Sequence, residues 1–126
     1  MAKGKILVVD DEDDVVEFIS RNLVMENYEV LTAYDGLGAL ASASEDEPDL
    51  ILLDIMMPIM NGYEVCVQIK KDPELQHIRI VLVSSAYSTS SVMQGREAGA
   101  DGYLSKPFTP AELIAQVEKH LSASES

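Results

Sequence analysis

Short apolar runs in this sequence end, one after another, in residues able to do chemistry. Ile6-Leu7-Val8-Val9 leads into Asp10 and Asp11, Leu50-Ile51-Leu52-Leu53 into Asp54, and residues 78–83 into Ser84, while Gly102-Tyr103-Leu104 is followed by Lys106. Taken singly, each has an ordinary explanation: an aspartate caps a turn, a serine satisfies a backbone group, a loop lysine is solvated. Taken together they are three carboxylates, a hydroxyl and one ammonium. Two like charges about 4 Å apart repel by about 4 kcal/mol at an effective dielectric near ~20, and one lysine cannot neutralise three acids. The set calls for a protonated acid or a divalent cation. Hard oxygen donors with room for water suit Mg²⁺, with Mn²⁺ as the alternative, rather than a softer metal. With a cation beside it, Asp54 can attack phosphorus and form an acyl phosphate, with Lys106 and the Ser84 hydroxyl on the phosphoryl oxygens.

The elements that would position these groups alternate along the chain. The apolar runs 6–9, 29–33, 50–53, 78–83 and 102–104 are rich in Val, Ile and Leu and mostly lack polar alternation, the pattern of strands buried on both faces of a parallel sheet. Between them lie helical patterns. Val16, Ile19 and Leu23 repeat behind the acidic turn Glu12-Asp13-Asp14; residues 37–43 are Ala-rich; a third helix over 63–71 carries Lys70 and Lys71 at its C-terminus. Thr109-Pro110-Ala111-Glu112 is a capping box with proline at the first helical position, followed by Leu113, Val117 and Leu121 on one face. The weakest helix covers 88–99, with four Ser/Thr residues and an internal Gly95. Five βα units with right-handed crossovers give a doubly wound parallel sheet, three layers deep, with five helices on its two faces. Ligands of such sheets bind beyond the carboxyl ends of the strands, where the chemical residues fall.

Length and composition restrict the rest. The 126 residues, 47% of them apolar, suit a single domain over 1–126, with its core at about 4–121 and a short Ser-rich tail, 122–126. The net charge of −13 disfavours direct binding to nucleic acid and to anionic membranes. No apolar run approaches a membrane span, and the lone Cys66, with no signal peptide, points to a reducing, cytoplasmic setting. Cys66 reads as a small packing residue, and His77 and His120, in polar surroundings, as surface residues rather than zinc ligands.

The ordered motifs resemble the receiver domain of two-component response regulators along almost the whole chain. They are Ile6-Leu7-Val8-Val9-Asp10-Asp11-Glu12, Pro48-Asp49-Leu50-Ile51-Leu52-Leu53-Asp54-Ile55-Met56-Met57-Pro58, Asn61-Gly62, Val83-Ser84-Ser85-Ala86, Ala98-Gly99-Ala100-Asp101-Gly102-Tyr103 and Lys106-Pro107-Phe108. The resemblance implies a flavodoxin-like sheet of order 2-1-3-4-5. It also implies Asp54 as the phosphorylated residue. Asp11, Asp54 and the backbone carbonyl of Met56 would be metal ligands, with Asp10 acting through water. Lys106 would be the phosphate-binding lysine, before a proline whose peptide bond is usually cis. Ser84 would be the hydroxyl residue and Tyr103 the aromatic switch. The hydroxyl position is more often Thr, and counting back from Lys106 selects Ser84 over Ser85. Met56 and Ala86 take the two variable places beside the site. A sensor histidine kinase or phosphotransfer protein would be the donor and a downstream effector protein or domain the target. The segment 86–99 would move, and the surface of the fourth helix, fifth strand and fifth helix would carry the output.

Three other functions compete. An aspartyl phosphatase usually carries a second Asp two residues after the nucleophile, where this chain has Met56; a nucleotide or flavin module would place a glycine-rich phosphate loop after the first strand, where this chain has acids; a purely structural interaction module would ignore phosphodonors.

Overall fold

A computed structural model describes residues 2–86 and 88–125, with side chains through Ser122. Tyr87, inside the segment expected to move, and Ser126, at the end of the expected tail, lie outside the described residues. The element order is β1 (Lys5–Val9), α1 (Asp13–Met25), β2 (Glu29–Ala33), α2 (Gly36–Asp46), β3 (Leu50–Asp54), α3 (Gly62–Lys71), β4 (Arg79–Ser84), α4 (Thr89–Glu97), β5 (Gly102–Ser105) and α5 (Pro110–Glu125). All strand pairs are parallel and the order is β2-β1-β3-β4-β5, as the resemblance implied.

The pleat separates two cores, because successive side chains leave opposite faces of a strand. Leu7, Val9, Ile51, Leu53, Ile80 and Leu82 pack with Ala39 and Ala43 of α2, Val65, Cys66 and Ile69 of α3, and Ala98. Ile6, Val8, Leu50, Leu52, Val81 and Val83 pack with Val16, Ile19 and Leu23 of α1 and Leu113 and Val117 of α5. Cys66 is fully buried, as its reading as a packing residue requires.

Helix ends follow the local signals. Asp35 accepts from the Gly38 amide at the start of α2, Asn61 and Glu64 form a reciprocal capping box on α3, and Thr109 and Glu112 form another on α5.

Several expectations need correction. Burial on both faces holds for β1, β3 and β4, but β2 is largely accessible and β5 half-buried, since edge strands have a neighbour on one side only. Residues 122–125, read as tail, continue α5, and α2 runs past Ala43 to Asp46. His77 is exposed, but His120 is buried. The i+3 spacing from Val117 places His120 on the inner stripe of α5, and Gly102 of β5 leaves room for its ring: a Cβ there would collide with the imidazole.

Candidate functional site

Register brings the carboxyl ends of β1, β3 and β4 level. Val9 pairs with Leu53, and Asp54 with Val83, so the next residue of each run arrives at one rim. Asp10, immediately past β1, is 2% exposed; its Oδ1 accepts from the Glu12 amide at 2.9 Å and its Oδ2 from Lys106 Nζ at 3.0 Å. Asp54, the last residue of β3, is 4% exposed, and Lys106 Nζ lies 3.5 Å from its Oδ1. One ammonium thus serves two buried carboxylates. Lys106 is itself held by its backbone amide, which donates to the Ser84 carbonyl at 2.8 Å, and its bond to Pro107 is cis.

Ser84 closes β4 and is buried, its Oγ accepting from the Ala86 amide at 3.0 Å, while Ser85 is exposed. Of the two serines, Ser84 occupies the rim. Asp11 is exposed, and carboxylate oxygens of Asp10, Asp11 and Glu12 lie within 4.8 Å of one another. Asp54 is not among that triplet. Glu12 was not a candidate ligand from sequence, where it served only as the start of an acidic helical turn; its signal was adjacency to the Asp10-Asp11 pair. The Met56 side chain is exposed, and no hydrogen bond engages its carbonyl among the described residues. Tyr103 stands apart from the rim. It pairs with Leu82, two positions back along β4 from Ser84, and donates to Ser91 Oγ of α4 at 3.2 Å. Ser84 and Tyr103 thus share the α3/α4 face of the sheet, whereas Asp54 follows the parity of Leu50 and Leu52 toward the α1/α5 face.

The electrostatics record an imbalance. The Asp54 carboxyl is pushed up to about 6, first by burial and then by the charge of Asp10, with Lys106 pulling it down and Asp11 adding to the rise. For Lys106, burial opposes the charge, but the hydrogen bond to Asp10 and the fields of Asp54 and Asp10 outweigh it and raise its pKa. The donor set, all oxygen with acid in excess of base, fits a hard divalent cation.

The chain from residue 6 to residue 118 matches the response regulator receiver domain. It belongs to that family. Caulobacter vibrioides response regulator PleD is 46% identical over 114 residues, which cover 90% of this chain and 25% of PleD, so the chain spans about a quarter of that relative. Among solved structures, Vibrio cholerae chemotaxis protein CheY4 superposes with a TM-score of 0.88 at 34% identity, covering 94% of this chain and 98% of that one. Brucella abortus NtrX gives 0.90 at 31% identity, covering 99% of this chain and 28% of that one. Receiver domains are signalling domains of two-component systems, and the family implies phosphorylation and a cation at the acidic cluster. Among the described residues, no helix is long and apolar enough to cross a membrane.

Proposed function

We propose that this chain is a phosphoacceptor switch in which Asp54 takes a phosphoryl group from a histidine of a sensor kinase or phosphotransfer protein. The observation that carries the reading is the sharing of Lys106 by two buried rim carboxylates, Asp10 and Asp54, with the Ser84 hydroxyl at the next strand end. An Asp54 oxygen attacks phosphorus, the P–N bond of the phosphohistidine breaks, and the departing imidazole takes up a proton. A bound Mg²⁺, or Mn²⁺, supplies neutralisation of phosphoryl oxygen charge; Asp10, Asp11, Asp54 and the Met56 carbonyl would hold it, with Glu12 close by. Lys106 pairs with a phosphoryl oxygen once Asp54 is phosphorylated, and the Ser84 hydroxyl, which accepts from the Ala86 amide, donates its proton to another.

The product adds roughly −1.5 to −2 charge at the rim. Movement of Ser84 toward it opens space for Tyr103, and α4, β5 and α5 present the changed surface to an effector protein or domain. The domain then catalyses only its own phosphorylation and dephosphorylation. It works in the cytoplasm as one unit over 1–126, without contacting nucleic acid or membrane, consistent with its charge of −13. The phosphatase alternative lacks its general acid, since the second position after Asp54 is Met56 with an exposed thioether.

Incubation with Mg²⁺ and acetyl phosphate, followed by intact mass, tests the reading. A hydroxylamine-labile phosphoryl adduct is expected on wild type and absent from Asp54→Asn and from metal-free protein. Steady phosphate release from unrelated esters would favour the phosphatase, and no adduct at all a structural module.

A further inference from the structure

Helix α4 is fastened to the rest of the molecule by little apolar contact. Of its nine residues only Gly95 is buried, and a Cβ there would lie 2.8 Å from Leu82 Cδ1. The helix lies close to the sheet because residue 95 has no side chain. Among the described residues, its side-chain tethers to α3 and β5 converge on one residue. Tyr63 of α3 donates its hydroxyl to the Ser91 carbonyl at 3.1 Å, and Tyr103 of β5 donates to the Ser91 hydroxyl at 3.2 Å. The same hydroxyl accepts from the Ser88 amide at 2.9 Å, which with the Ser91 amide donating to Ser88 Oγ at 3.0 Å forms the capping box, and it donates to the Ser88 carbonyl at 3.0 Å. A serine hydroxyl has one proton and two acceptor sites. Ser91 Oγ is therefore fully used: its proton goes to the Ser88 carbonyl, one acceptor site takes the Ser88 amide, and the Tyr103 and Ser88 hydroxyls, each at 3.2 Å, compete for the other.

We propose that Ser91 is a positioning residue that latches the Tyr103 ring to the first turn of α4, so that departure of the ring toward Ser84 loosens that turn. The inference rests on the switch reading above and adds a residue to it. It explains how a shift at β5 is felt by α4: the tyrosine and the helix cap share one hydroxyl, and a helix with so little buried apolar surface draws a large part of its stability from its cap. Tyr63, bonded to the Ser91 carbonyl rather than its hydroxyl, keeps the helix tethered to α3 while the Tyr103 bond opens.

Hydrogen exchange of α4 amides and the NMR signals of the Tyr103 ring test the latch in the 126-residue chain without phosphodonor. In Ser91→Ala, α4 exchange is expected to accelerate about fivefold, the factor for losing one hydrogen bond, and the ring signals to move toward those of wild type treated with beryllium fluoride and Mg²⁺. Ser91→Thr, which retains the hydroxyl, should restore both. Tyr103→Phe should accelerate α4 exchange by a similar factor without touching the helix sequence, and adding Ser91→Ala to it should accelerate less than the product of the two. Multiplicative effects, or an unmoved Tyr103 ring in Ser91→Ala, would overturn the latch. Failure of the acceptor reading shows separately, as no adduct on wild-type Asp54 while the coupling of Ser91 to Tyr103 persists.

Discussion

The two ends of the sheet carry polar clusters built from the same residue types to opposite balance. At the carboxyl end, Asp10 and Asp54 share Lys106 with Asp11 close by, and the Asp54 carboxyl is pushed up to about 6. At the amino end of β4 and β5, one acid faces two bases. Asp101 Oδ2 accepts from Lys70 Nζ at 3.1 Å and from the Ile80 amide at 2.9 Å, and its Oδ1 lies 3.5 Å from an Arg79 guanidinium nitrogen. Lys70 spends its remaining protons on the carbonyls of Ile78 and Gln76, at 2.7 and 3.2 Å. Nothing in that arrangement calls for a further ion; it ties α3, β4 and β5 together. The excess of acid at the other end is unfavourable within the chain alone, and a cation there would relieve it. Charge balance separates a strut from a site where residue identity does not.

The largest expected effect breaks the strut. Asp101→Ala should destabilise the fold by about 2–3 kcal/mol in urea unfolding, because Lys70 and Arg79 are left partly buried without their acid; the figure allows for their partial exposure.

Removing an acid from the other end should act in the opposite direction. Asp54→Asn is expected to stabilise the metal-free protein by about 1–2 kcal/mol near neutral pH. The Asp54 pKa is higher folded than unfolded, so wild type holds that stability at low pH and loses it as pH rises through about 6. The gap between variant and wild type should therefore close on acidification from about 6 toward the ordinary carboxylate value near ~4. Thermal melts with Mg²⁺ should raise the wild-type midpoint and leave that of Asp54→Asn nearly unchanged. Equal responses would remove Asp54 from the cation site.

The smallest effect sharpens the edge of the balanced cluster. His120 lies over Gly102, with its Nε2 lacking a hydrogen-bond partner among the described residues. Burial lowers its pKa, with Lys119 and Arg79 adding to the depression and Asp101 opposing it. A histidine depressed in the fold contributes stability above its unfolded value near ~6.5, lost as pH falls through the folded value. His120→Gln should flatten that acid loss by less than about 1 kcal/mol, read from unfolding curves across that range.

The rim was legible because each of its groups follows an apolar run, and parallel strands aligned by crossovers deliver their ends to one side. Asp54 needed no structure to be singled out. The amino-end cluster was not legible. Lys70 had a sufficient explanation in the C-terminal charge of α3, Asp101 stood in a loop motif, and His120 sat in polar sequence. Their meeting depends on β5 lying beside β4 with Gly102 turned under α5. Ser91 was hidden for a similar reason. Three neighbouring Ser/Thr residues have the same local character, and only the approach of α4, permitted by Gly95, selects the one that meets two tyrosines.

By itself, then, the sequence determined the order of strands and helices, the buried sheet centre and the acids, hydroxyl and lysine at one rim, because these follow from periodicity and from what each apolar run leads into. The tertiary structure decided which charges are balanced and which are left in excess, how deeply Asp54 is desolvated, and which serine holds Tyr103. Those outcomes depend on distances between residues far apart in the chain, where a few ångströms of burial or approach change the energy of a charge or a hydrogen bond by more than local sequence preference does.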